Sequence, residues 1–110
     1  MDLEKIELVY DGIKHSEIKD VSNFLESLPV DVVSSDTTIS LRVRSWGTHC
    51  YHIMPQSNQS IEYHGLENLA NEVDCKVSLK TDYRGPHLYI EKKSSRDTIS
   101  FLLYTKYSSG

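Results

Sequence analysis

Long apolar stretches are missing from this chain. The longest unbroken one runs only from Phe101 to Tyr104, far short of the roughly 20 residues a membrane-crossing helix requires. The N-terminus, Met1-Asp2-Leu3-Glu4-Lys5, shows no basic start, apolar segment or small-residue cleavage site. No secretory signal is read there, and a cytoplasmic protein is expected. Cysteine is scarce as well, with Cys50 and Cys75 alone. In a reducing compartment such a pair stays reduced, so both are expected to be buried thiols acting as small hydrophobes. The five glycines never fall in a spacing that cradles phosphate.

What remains is an ordinary globular composition, 38% hydrophobic and 25% charged over 110 residues. A chain of that length buries roughly 65% of its unfolded surface, enough for one core without metal or disulfide. One domain over residues 1–107 is expected, followed by a frayed tail at 108–110. The net charge of −4 is uneven: residues 1–36 hold nine acids against three lysines, and residues 37–110 hold nine bases against seven acids. Such asymmetry marks either a solvated helix face or a partner-facing surface. Nucleic-acid binding is disfavoured, because it usually needs a basic domain.

Periodicity supplies the elements. Ile6 and Leu8 alternate with charge, as in a strand, until Asp11-Gly12 breaks it. Ile18, Val21, Phe24, Leu25 and Leu28 stack on one helical face. Ser16 is the expected N-cap, and Pro29 ends the helix. Ile39, Leu41 and Val43 alternate with Ser40, Arg42 and Arg44, the cleanest strand pattern in the chain. Residues 49–54 and 61–63 read as further strands. A second short helix is expected from Gly65, with Leu66, Leu69, Ala70 and Val73 on one face. Alternation resumes at Cys75, Val77 and Leu79, at Leu88 and Ile90, and at Ile99, Phe101 and Leu103. The run Asp82-Tyr83-Arg84-Gly85-Pro86 is a strong turn.

These elements predict an α+β fold: a mostly antiparallel sheet of six or seven strands, with both helices on one face. The expected core also includes Val32. A weak internal echo accompanies it. Val21, Phe24, Leu25, Leu28, Val30 and Val32 match Leu66, Leu69, Ala70, Val73, Cys75 and Val77 at a constant offset of 45, as a duplicated strand–helix–hairpin unit would.

Chemistry-bearing clusters are few. In a strand, Cys50 and His52 point to one side, as a metal pair must. A structural zinc needs a second pair, and Cys75, His64 and His87 each stand alone. No metal or cofactor is expected. Cys50 could be activated by a neighbouring histidine, but no nucleophile motif surrounds it, so no catalytic residues are assigned. Paired carboxylates such as Glu17 and Asp20 read as solvated.

A surface is the stronger signal. Alternation aims Arg42, Arg44, Trp46, Tyr89 and Tyr104 away from the core, and Arg, Trp and Tyr dominate binding hot spots. These five are the expected partner-binding residues. The leading expectation is a small non-enzymatic protein that occupies a protein partner, in the manner of acidic inhibitors or immunity proteins. A nucleotide- or small-ligand-binding module on the same aromatic face is the alternative, and a Cys- or metal-dependent enzyme a weaker one. No membrane partner is expected, and a homodimer is left open.

Overall fold

The computed structural model describes residues 1–34, 39–55, 59–63, 71, 74–93 and 97–105. A 3-10 turn at Leu3–Lys5 precedes β1 (Glu7–Asp11), α1 (His15–Ser27) and β2 (Val30–Ser34). Then come β3 (Ser40–Ser45), β4 (Cys50–Pro55), β5 (Gln59–Tyr63), β6 (Cys75–Asp82), β7 (Gly85–Lys93) and β8 (Thr98–Tyr104).

The α+β class holds, but the sheet is mixed rather than mostly antiparallel. Six strands lie in the order β1-β3-β4-β8-β7-β6, and β2 pairs with β5 in a separate two-stranded ladder. β1 runs parallel to β3, and β4 parallel to β8; the pairs β3/β4, β7/β8 and β6/β7 are antiparallel. A parallel pair needs a connection of a dozen or more residues. The chain between β1 and β3 supplies one, carrying α1 and β2 on the way. Of the expected second helix at 65–73 only Asn71 is described; the rest, its place beside α1, and the tail at 108–110 lie outside the described residues.

α1 begins at His15, one residue before the expected Ser16 cap, and Lys14 occupies the N-cap without a side-chain bond. It ends as Pro29 requires, with the Leu28 amide closing on the Leu25 carbonyl. Its buried face is Val21, Phe24 and Leu25. The Phe24 ring stacks on Phe101 of β8 at 3.8 Å between centroids, nearly parallel at 7°. That contact fastens the helix to one face of the sheet.

Register sorts the remaining side chains. Leu41 and Val43 of β3, Ile53 of β4, Leu88 and Ile90 of β7 and Leu103 of β8 share the helix face and are wholly buried. The β2/β5 ladder adds Val30 and Ile61 to the same core. It is tied to β8 by the Ile61 amide donating to the Thr105 carbonyl at 2.8 Å and by the Tyr63 hydroxyl donating to the Leu103 carbonyl at 2.5 Å. Of the expected core, Ile6, Leu8, Val32, Val77 and Ile99 are only partly buried and pack at its margin.

Of the second copy in the echo at offset 45, Leu66, Leu69, Ala70 and Val73 lie outside the described residues. The hairpins β3/β4 and β7/β8 flank the central parallel pair β4/β8 in mirrored order. Their leading strands differ, because β2 leaves the sheet for β5 whereas β6 pairs with β7 as its edge.

Candidate functional site: the open sheet face

The face opposite α1 is built by the alternate residues of the strands of the six-stranded sheet. Cross-strand register sets Arg42 beside Met54 and Arg44 beside His52. His52 lies beside Leu102 on β8, and Tyr104 lies beside His87, with Leu102 beside Tyr89. The five residues singled out from sequence therefore share this face. Arg42 is exposed. Arg44 holds Asp11 of β1 at 3.5 Å. Tyr89 is half-buried, its hydroxyl donating to the Ser100 hydroxyl at 3.3 Å under the Lys80 ammonium, 4.4 Å from the ring centroid.

Trp46 and Tyr104 depart from a simple outward reading. Trp46 is 51% exposed, but it lies flat on the His52 ring at 4.9 Å and 17°. Tyr104 is 1% exposed. It belongs to the outer side of the sheet yet is covered, so it cannot present its ring to a partner. Its hydroxyl donates to the Asp82 carboxylate at 2.7 Å.

The cover comes from the β6/β7 turn. The ladder brings Asp82 opposite Gly85, leaving Tyr83 and Arg84 as a two-residue connection. Gly85 sits at φ +112°, a conformation only glycine adopts readily. The Asp82 carboxylate accepts the Arg84 amide at 2.8 Å and fixes the turn. Arg84 then lies over the sheet and donates to His52 Nδ1 at 2.7 Å. Its guanidinium stacks over Trp46 at 5.0 Å and beside Tyr83 at 5.3 Å. Trp46 follows β3 at the end where β4 starts, whereas the turn enters from the level of Tyr104. The two arrive from opposite ends of the strands and meet above His52.

Three members of this cluster, His52, Asp82 and Arg84, were not singled out as surface residues from sequence, whereas alternation does set His87 beside Tyr89, opposite Leu88 and Ile90. Alternation places Cys50 and His52 on one side but carries no sign of the β4/β8 pairing. That pairing joins Cys50 to Ser100 and so brings Tyr104 near His52, at 5.6 Å between rings.

Electrostatics follow from this packing. Burial, assisted by the Arg84 charge and by His87 and Arg44, outweighs the attraction of Asp82 and lowers the His52 pKa from 6.5 to about 4. A guanidinium only donates, so Nδ1 is the bare nitrogen of a neutral imidazole. Burial pushes Tyr104 up, as does its bond to Asp82. For Asp82, burial raises the pKa, but the bonds from Tyr104 and the Arg84 amide prevail and leave it lowered. His87 is buried against the Tyr104 ring at 4.8 Å, with Nδ1 4.0 Å from Asp82.

Other chemistry finds little support in the geometry. Burial raises the Cys50 pKa, opposite to what a nucleophilic thiolate needs. Cys75, by its register with Lys92, lies on the helix side of the sheet, away from Cys50. Both cysteines are unbridged; Cys75 is buried and Cys50 half-buried. Among the described residues no three metal-ligating side chains converge, and no helix is long and apolar enough to cross a membrane. A groove of about 420 Å³ runs beside α1 between Asp20, Asn23 and Lys92. Its floor residues Phe24 and Phe101 are already 7% and 2% exposed, so they leave a ligand little apolar surface to cover.

No protein-family model matches the chain, and no curated protein or solved structure is similar to it.

Proposed function

We propose that this is a small non-enzymatic cytoplasmic protein that occupies a protein partner through its open sheet face, as inhibitors and immunity proteins do. One observation carries the reading. Trp46 and Tyr83, 51% and 81% exposed, flank an Arg84 guanidinium that is held in place from below. Aromatic and arginine anchors with restricted rotamers lose little entropy on binding and supply most of an interface's energy. The titratable groups beneath them are engaged with one another, as in a scaffold that supports a surface.

The acidic helix takes a different part. Glu17, Asp20 and Glu26 belong to α1, on the opposite side of the sheet from Trp46. They act at a distance on approach, whereas contact energy comes from the open face.

A second reading, a nucleotide-binding module, draws on the indole of Trp46, since an exposed ring can stack a base. Two measurements separate the readings. Affinity capture from the source cells with wild type and Trp46→Ala is expected to retain a protein that the variant loses. A thermal-shift screen of nucleotides is expected to leave the melting midpoint unchanged. A nucleotide-dependent rise in the midpoint, with no protein lost by Trp46→Ala, would overturn the first reading in favour of the second.

A further inference from the structure

The contacts of Arg84 and Trp46 carry the docking reading one step further. Arg84 donates to His52 Nδ1 at 2.7 Å, and both groups lie against Trp46, at 5.0 Å and 4.9 Å. Groups stacked on opposite faces of a ring stand at least ~7 Å apart, twice a van der Waals contact. A 2.7 Å bond cannot bridge that gap. His52 and Arg84 therefore share the inner face of the indole, and the outer face carries neither of them; Trp46 is 51% exposed.

The charge on Arg84 is not neutralised by this arrangement. A guanidinium has five N–H donors, and His52 takes one of them through a neutral nitrogen. Among the described residues no carboxylate forms an ion pair with it. Asp82 is occupied by the Tyr104 hydroxyl and the Arg84 amide, and Asp11 is held by Arg44. The surroundings add positive charge, with Arg42 on β3 and Lys80 over Tyr89, while Arg44 is offset by Asp11. An unneutralised, pre-oriented guanidinium fork beside a flat apolar ring matches a carboxylate carried next to an apolar side chain.

We infer that Arg84 is the anion-reading residue of the open face, and that its ligand is an Asp or Glu carboxylate on an acidic segment of the protein partner, packed against the outer face of Trp46. The inference rests on the open face being the docking surface. A carboxylate is favoured over nucleic acid because one side-chain charge suffices for one guanidinium fork, whereas the net charge of −4 repels every phosphate of a polyanion at long range.

The test selects a phage-displayed library of random ten-residue peptides on the intact protein. Enriched peptides are then titrated while the fluorescence of the single tryptophan is followed. Enrichment of Asp or Glu beside an apolar residue is expected. Arg84→Gln should weaken the selected peptide by about tenfold or more, and Arg84→Lys, which keeps the charge but not the fork, by nearly as much. Both variants should remain folded with a cooperative melting transition, so that the loss of binding is read on the native protein. Three results would overturn the inference: no enrichment, enrichment without acidic residues, or acidic peptides that bind Arg84→Gln as well as wild type. Binding of a twelve-nucleotide oligothymidylate through Trp46 would overturn it too. If peptides of the wrong chemistry bind wild type but not Trp46→Ala, the docking face stands and only the carboxylate falls. Peptides unaffected by Trp46→Ala would remove both.

Discussion

His52 is the residue on which the open face turns. Its ring supports Trp46 on one side and accepts Arg84 at its edge, and the second contact requires the neutral imidazole. Burial first, then the Arg84 charge, lowers its pKa from 6.5 to about 4. Between those values the unfolded chain holds a proton that the folded one does not, so stability rises with pH across the window and is lost as pH falls through it. The loss is on the order of 3 kcal/mol when complete. His52→Gln keeps an acceptor for Arg84 and removes the titration. Urea denaturation from pH 7 to pH 4 is expected to show a shallower decline for the variant than for wild type. Tyr104 makes a narrower prediction. Deleting its buried hydroxyl with Tyr104→Phe should cost about 1 kcal/mol and raise the Asp82 pKa, which that bond helps to depress. Carbon-13 NMR of the Asp82 carboxyl reads the second effect directly.

At the scale of elements, α1 is held to the sheet by the stacking of Phe24 on Phe101. Phe24→Ala should therefore destabilise the fold by about 3–5 kcal/mol, measured by the same denaturation. Gly85 makes the β6/β7 turn possible. A Cβ there would meet no atom within 4 Å, so the cost of Gly85→Ala is conformational alone, about 1–2 kcal/mol. The variant should also loosen Arg84 and change the Trp46 emission. Much of this architecture was legible in the sequence. Alternation identified Leu41 and Val43, Leu88 and Ile90, and Phe101 and Leu103 as one buried side, and placed Arg42, Arg44 and Tyr89 on the other. Strand direction was not legible, because alternation is identical in parallel and antiparallel pairs. The helical crossover between β1 and β3 was the overlooked clue. Tyr51, Ile53 and Ile61 were missed as core because their strands are short and flanked by polar residues. The buried state of Tyr104 was missed for a different reason. It depends on a turn some 20 residues earlier in the chain folding over its strand, and sequence showed Asp82-Tyr83-Arg84-Gly85 only as a turn.

The whole molecule separates its two charged surfaces. The acidic helix lies on one side of the sheet, and the arginine- and aromatic-bearing face on the other. Salt should therefore change the association rate, through screening of the long-range field, more than the dissociation rate of contacts anchored at Trp46. Trp46→Ala is expected to weaken the partner complex by about 2 kcal/mol, acting mainly on the dissociation rate. Surface plasmon resonance at two salt concentrations resolves the two effects. The central claim, that the open face is the working surface, is tested most directly by hydrogen–deuterium exchange on the complex recovered by affinity capture. Protection on binding is expected in residues 42–52 and in the turn at 80–89, with α1 exchanging as in the free protein. Protection confined to residues 15–27, with the open face unchanged, would contradict it.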